Sequence, residues 1–303
     1  MRAVVFDEFG GPEVLQSRDV KEPQAGPGEV RIAVKAAGVN PMDFKIRHGW
    51  FQSRIETTFP AVPGLEVAGV VDELGEGVTE FALGDEVVGW AQGGSYAEYA
   101  IAGTIAKKPA GLPWEQAVAI PIAGQTAARV LRELGVKEGE TLLLHGAAGG
   151  VGSVAIQLAV ALGATVIGTA SEANHDYVRS LGATPIAYGE GLVERVKAVA
   201  PQGVDAVFDA AGKGALPDSI ELRGGTDRII TIADMSAGDL GVTVVMGGTS
   251  PEQTKSDLTE QLQLAADGKL KLTVAKTFAF DDARTAHEIS ETGHNRGKLV
   301  ILP

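Results

Sequence analysis

The chain has 303 residues, 45% hydrophobic and 21% charged, which is apolar enough for two cores and unlike a disordered segment. Lys and Arg number 26 against 39 Asp and Glu, a net charge of -13 with the acids spread along the chain, so no nucleic-acid partner is expected. Cysteine is absent, which excludes disulfides, catalytic thiols, iron–sulfur clusters and every thiolate zinc site. No apolar run reaches membrane-spanning length, and the opening MRAVVFDEFG lacks the basic-then-apolar pattern of a leader, so the expected location is the cytoplasm and no membrane partner is expected.

Up to about residue 120 the chain is rich in Gly, Pro and Val, and short alternating stretches such as EVRIAVKAAG and GDEVVGW are separated by turns. This predicts an irregular β domain. From about residue 125 apolar strands alternate with amphipathic helices, the pattern of a parallel sheet with crossover helices. Strands are expected at 141–145, 165–169, 204–209, 228–232 and 242–246, with helices near 151–162, 174–181, 191–200 and 252–267. The tail reverts to strand (KLTVAKTFAF), then a helix from Asp281 to Thr292 stopped by Gly293, then the strand KLVILP. Both tail strands pair most simply with the first domain. The organisation expected is therefore one domain from 1–124 with 268–303, and a second from 125–267.

The strongest local signal is LLLHGAAGGVGSVAIQLAVALGA, an apolar strand, a turn of small residues and a helix. The spacing Ala147-x-Gly149-x-x-Gly152 is the dinucleotide fingerprint with alanine in its first position. Val151, Val154, Ala155, Leu158, Ala159 and Leu162 then share one helical face. Small turn residues let the backbone approach a pyrophosphate, and the free N–H groups at the helix start receive its charge. A second strand ends in Thr169, Ala170 and Ser171, followed by Glu172, where an NADH site usually places the acid that binds the ribose hydroxyls at the strand tip. The small polar tip leaves room for a 2′-phosphate, with Ser171, Asn174, His175 or Arg179 as donors, so NADPH is the expected cofactor.

Several ordered motifs together resemble the zinc-free quinone oxidoreductase branch of the medium-chain dehydrogenase/reductase superfamily. They are AAGVNPMD at 36–43, PGLEVAGVV at 63–71, GDEVVGW at 84–90, GGSYAEY at 93–99, AIPIAGQTA at 119–127, HGAAGGVG at 145–152 and GKLVILP at 297–303. The resemblance implies an α/β protein: a GroES-like β domain with an inserted Rossmann domain (a doubly wound parallel sheet), and a nicotinamide in the cleft between them. In zinc-dependent relatives a cysteine stands where this chain has Asn40, and a histidine where it has Leu65. No metal site is therefore expected.

Carried over by position, the resemblance implies that Asn40 and Thr126 lie near the nicotinamide or its ribose. Gly149, Gly150 and Val151 fall on the pyrophosphate, and Ser171 and Tyr188 near the adenosine. The loops after Asp209 (from Ala210) and at Ile232 run along the cofactor, and Lys298 lies near the closed cleft. Some relatives place tyrosines after the NPxD segment where this chain has Lys45 and Phe51, so a tyrosine proton donor is not expected. Trp50, Phe51 and Phe59 are candidates for an apolar wall.

The activity this implies is hydride transfer from NADPH to a small electron acceptor, a quinone or an α,β-unsaturated carbonyl, with Asn40, Asp43 and Lys45 as the catalytic candidates. An alkenal or enoyl reductase is the alternative from the same fold, and an NADPH-binding sensor without turnover the alternative from another class. The apolar strand 242–246 is expected at a sheet edge, where pairing with a second copy would make a homodimer.

Overall fold

Val-rich alternation in the first third of the chain gives strands rather than helices, because β-branched side chains fit a pleated, half-buried surface. The computed structural model describes residues 1–293 and 295–303. Contacts divide the chain into unit 1, Met1–Ile122 with Pro251–Pro303, and unit 2, Ala123–Ser250.

In chain order, β1 (Arg2–Val5) and β2 (Gln16–Asp19) form an antiparallel ribbon. Next come β3 (Val30–Val39), α1 (Pro41–Arg47), β4 (Glu66–Leu74), β5 (Glu86–Gln92), β6 (Tyr99–Lys107) and α2 (Trp114–Ala117). The division between the units falls inside α3 (Pro121–Leu134). Unit 2 continues with β7 (Thr141–His145), α4 (Gly150–Ala161), β8 (Thr165–Thr169), α5 (His175–Ser180), β9 (Thr184–Ile186) and α6 (Leu192–Val199). It ends with β10 (Ala206–Asp209), α7 (Leu216–Arg223), β11 (Ile229–Thr231) and β12 (Thr243–Val244). The chain then returns to unit 1 with α8 (Pro251–Ala266), β13 (Val274–Ala279), α9 (Ala283–Thr292) and β14 (Lys298–Leu302).

Among the described residues the main sheet of unit 1 runs β13-β14-β3-β4-β5-β6, with β3 also pairing β6. The tail strands thus join the first domain's sheet, and β14 lies antiparallel to β3 with Val300 opposite Gly38. One face packs Ala36, Ala68, Val88, Ala106 and Val300 against Leu258 and Leu262 of α8. This corrects the expected boundary: the helix read at 252–267 was assigned to the dinucleotide-binding domain, yet it groups with unit 1. Leu258 and Leu262, one turn apart on α8, are its buried stripe, and that stripe is covered by unit 1 strands.

The sheet of unit 2 runs β12-β11-β10-β7-β8-β9, every pairing parallel, with Leu143, Ile167, Val207 and Ile229 in its core. The fold is α/β, a GroES-like sheet unit with a doubly wound parallel sheet. β12 occupies the sheet edge, shorter than the 242–246 read from the sequence. No helix among the described residues is long and apolar enough to cross a membrane.

Candidate active site and cofactor cradle

In unit 2 the apolar strand β7 is driven into the core and the chain must turn sharply to begin α4. Gly146 takes φ +77°, a left-handed conformation that favours glycine. A Cβ on Gly152 would fall on the Gly146 carbonyl oxygen, so only glycine lets the first turn of α4 close on the strand end. A Cβ on Gly150 would meet nothing within 4 Å, which leaves the outer side of the turn open. Gly149 is the N-cap of α4, so the N–H groups of Gly150, Val151 and Gly152 are the unpaired donors of a helix start. These features fit the pyrophosphate of a dinucleotide.

The carboxyl ends of the neighbouring strands are organised by one buried carboxylate. Asp209, 1% exposed at the end of β10, accepts N–H bonds from Ala211 (2.9 Å) and Gly212 (3.0 Å) and the Thr231 hydroxyl (2.8 Å). Thr231 Oγ1 in turn accepts the N–H groups of Ala233 (3.1 Å) and Asp234 (3.0 Å). The loops beginning at Ala210 and Ile232 therefore hang on one residue, at the strand ends where doubly wound sheets bind ligands. At the end of β7, His145 Nε2 lies 2.9 Å from Ser219 Oγ and Nδ1 3.2 Å from Thr169 Oγ1. Burial lowers its pKa, keeping the ring neutral and tying β7, β8 and α7 together.

At the tip of β8, Asn174 Nδ2 donates to Ser171 Oγ at 3.1 Å, and His175 Nε2 is 3.2 Å from the Ala170 carbonyl. Arg179 is engaged by Asp176 at 2.6 Å. Tyr188 is 56% exposed, and Thr126 is 9% exposed in the second turn of α3, past any capping position.

Unit 1 carries a second constellation. α1 starts at Asn40, whose backbone N–H donates to Asp43 Oδ2 at 2.8 Å, and Tyr96 OH reaches the same oxygen at 3.1 Å. Asp43 Oδ1 is buried with no partner, and burial pushes the carboxyl up to about 7. The Asn40 amide donates to Glu66 Oε2 at 2.9 Å and accepts from Lys298 Nζ at 2.6 Å. Lys298 and Glu66 form a close ion pair, and Glu66 Oε1 accepts the Ile122 N–H at 2.7 Å.

Chemically, unit 1 therefore offers buried N–H donors and one carboxyl able to hold a proton at neutral pH, while unit 2 offers a phosphate-accepting helix start. The description "Alcohol dehydrogenase GroES-like domain" matches residues 26–112, and "Zinc-binding dehydrogenase" matches residues 181–301. A quinone oxidoreductase of Salmonella typhimurium is 34% identical over 99% of both chains. The chain belongs to the quinone oxidoreductase branch of the medium-chain dehydrogenase/reductase superfamily.

A 2-methylene-furan-3-one reductase of Solanum lycopersicum is 34% identical over 100% of this chain and 79% of that protein. Among solved structures, a quinone oxidoreductase from Coxiella burnetii superposes with TM-score 0.90 at 35% identity, covering 100% of this chain and 99% of that one. The Escherichia coli quinone oxidoreductase complexed with NADPH does so with TM-score 0.87 at 30% identity, covering 100% of both chains. This quinone oxidoreductase family member is an oxidoreductase.

Of the catalytic candidates, Asn40 and Asp43 are brought together but Lys45 is not. Its half-buried ammonium, whose pKa desolvation lowers, makes no ion pair or hydrogen bond among the described residues. The expected wall of Trp50, Phe51 and Phe59 is divided. Phe59 packs edge-on against Phe6 and Phe9, whereas Trp50 stacks on His48 at 4.9 Å and is 63% exposed. His48 faces Arg47 and Glu291. Tyr96 and the Glu66–Lys298 pairing went unread, since they lie tens to hundreds of residues from Asn40 and Asp43 and no spacing links them.

Proposed function

We propose that the chain reduces an activated acceptor, a quinone or an α,β-unsaturated carbonyl, with NADPH and no metal ion. NADPH, when bound, supplies the hydride. The observation that carries the reading is the buried donor set around Asn40, where a metal-dependent relative keeps its ligands. Leu65 offers no donor atom, and both Glu66 oxygens are committed to Asn40, Lys298 and the Ile122 N–H. Among the described residues no group of three His, Asp or Glu is placed to hold an ion. N–H donors alone polarise a carbonyl less than a Lewis acid does, which suits acceptors already activated by conjugation and not simple alcohols.

In unit 2, Gly149, Gly150 and Val151 take the pyrophosphate, Ser171 and Tyr188 the adenosine end, and the Asp209-held loops at Ala210 and Ile232 line the cofactor, with Thr126 toward its nicotinamide ribose. In unit 1, the Asn40 amide supplies an N–H donor to negative charge developing on an oxygen, with Lys298 held against its carbonyl. Asp43 holds a proton at Oδ1, and Lys45 or water is the other source for an acceptor that has taken a hydride.

The test is NADPH and NADH consumption with a chelator present, against ortho- and para-quinones, 2-alkenals and saturated aldehydes. Quinone- or alkenal-dependent loss of NADPH is expected. Loss of activity on chelation, or a preference for saturated aldehydes, overturns the reading. The tomato relative, named for reducing an exocyclic enone, favours the alkenal as a second reading, and the same panel separates the two.

A second copy of the chain is proposed at the β12 edge. Two exposed side chains support it: Met246 just beyond the strand, 39% exposed, and Leu240 in the turn packed on it, 41% exposed. A monomer mass by light scattering at micromolar concentration refutes the dimer.

A further inference from the structure

The Asn40 amide is gripped at both ends by partners of fixed polarity. Lys298 Nζ, 2.6 Å from Oδ1, can only donate, and Glu66 Oε2, 2.9 Å from Nδ2, can only accept. Flipping the amide would set its N–H groups against an ammonium and its oxygen against a carboxylate. One orientation is therefore dictated by chemistry, where an asparagine's is usually ambiguous.

The gripping pair is itself fixed. Lys298 contacts Glu66 Oε2, and Glu66 Oε1 is occupied by the Ile122 N–H. Glu66 is 0% exposed, and Asn40 and Lys298 are each 5% exposed, so water does not compete. The space they fill exists because residue 38 is glycine: a Cβ there would fall on Glu66 Oε2 and come within 2.9 Å of Lys298 Cε. One valence remains, since the second hydrogen on Asn40 Nδ2 meets no acceptor among the described residues.

We propose that Glu66 and Lys298 are positioning residues that make Asn40 a one-way donor, turning its free Nδ2–H and never its carbonyl toward the ligand. The ligand group received is then an oxygen gaining negative charge, such as an enolate or phenolate oxygen. This rests on the reading that Asn40 meets the reacting groups.

The direct measurement is side-chain amide hydrogen exchange by NMR on the cofactor-free protein, with the Asn40 signal assigned by its loss in N40D. One Nδ2 proton, the one held by Glu66, is expected to exchange at least about tenfold more slowly than its partner. That contrast shrinks in E66Q, where a neutral amide replaces the carboxylate while Lys298 still holds Oδ1. Because E66Q leaves a buried unpaired ammonium, E66Q/K298M, which removes both charges, is the companion variant, and there the contrast disappears.

In turnover, N40D is expected to lower kcat roughly 100-fold with little change in acceptor KM, as loss of one oxyanion donor does. E66Q lowers kcat the same way, and N40D/E66Q falls no further than N40D alone. Equal exchange of the two protons in the wild type, or additive losses in the double variant, overturns the proposal. If no acceptor oxidises NADPH, the functional reading fails, while the exchange contrast still decides the orientation of Asn40.

Discussion

Replacing Asp43 by asparagine should change how the stability of unit 1 depends on pH. The carboxyl is 2% exposed, its Oδ1 has no partner, and burial raises it from 3.8 to about 7. In the unfolded chain it ionises near its ordinary value, so between those two pH values folding takes up a proton. Its contribution is therefore fully present below about pH 4 and is lost as pH rises to 7. A shift of about three units corresponds to about 4 kcal/mol. D43N keeps one oxygen for the Asn40 N–H and Tyr96 OH and cannot ionise. The stability of D43N relative to wild type should thus climb by about 4 kcal/mol between pH 4 and pH 8. Buried His287, depressed to about 3, titrates over the same window with the opposite sign, but it is common to both proteins and cancels in the difference. Urea unfolding followed by tryptophan fluorescence is the assay, because Trp50, Trp90 and Trp114 all lie in unit 1. A difference between the two proteins that is flat from pH 4 to 8 refutes the argument.

G38A should displace the Glu66–Lys298 pair and lower urea stability by roughly 1–3 kcal/mol, the usual range for overpacking. G152A pushes a methyl into the Gly146 carbonyl and should weaken NADPH binding at least about tenfold by fluorescence titration, with tryptophan-reported stability of unit 1 unchanged. D209A removes the acceptor of three hydrogen bonds, so faster backbone hydrogen exchange at Ala211, Gly212, Ala233 and Asp234 is expected, together with a higher Kd for NADPH. Unchanged exchange at Ala233 and Asp234 would show that Thr231 holds its loop without Asp209.

Where local signals agreed, the sequence was readable almost residue by residue. β7 and β8 fall at 141–145 and 165–169 as read, and α4 starts one residue earlier than expected, because a continuous apolar run and a small-residue turn leave little choice. β9 (TPI) carries Pro185 at its centre and α7 has Pro217 in its first turn, residues that read as loop punctuation, and both were missed. α8 shows the limit of amphipathicity: Leu258 and Leu262 declare a buried face but not what buries it. The site divides the same way. Asn40 and Asp43 are three apart at the start of one helix, a spacing with local meaning. Lys298 meets Asn40 across 258 positions and Tyr96 meets Asp43 across 53, and only the folded sheet brings them together.

The pairing of β14 with β3 has a consequence for biosynthesis. Unit 2 is one uninterrupted stretch of chain, whereas the sheet of unit 1 needs segments from both sides of it. As the polypeptide emerges, unit 2 has all its strands in hand while β3 still presents an open edge along Ala37–Val39. Lys298, the cation that neutralises Glu66, arrives on the same late strand. A nascent chain halted before it would carry an unpaired strand edge and a carboxylate without its cation, a combination that packs poorly and lies open to chaperones and proteases.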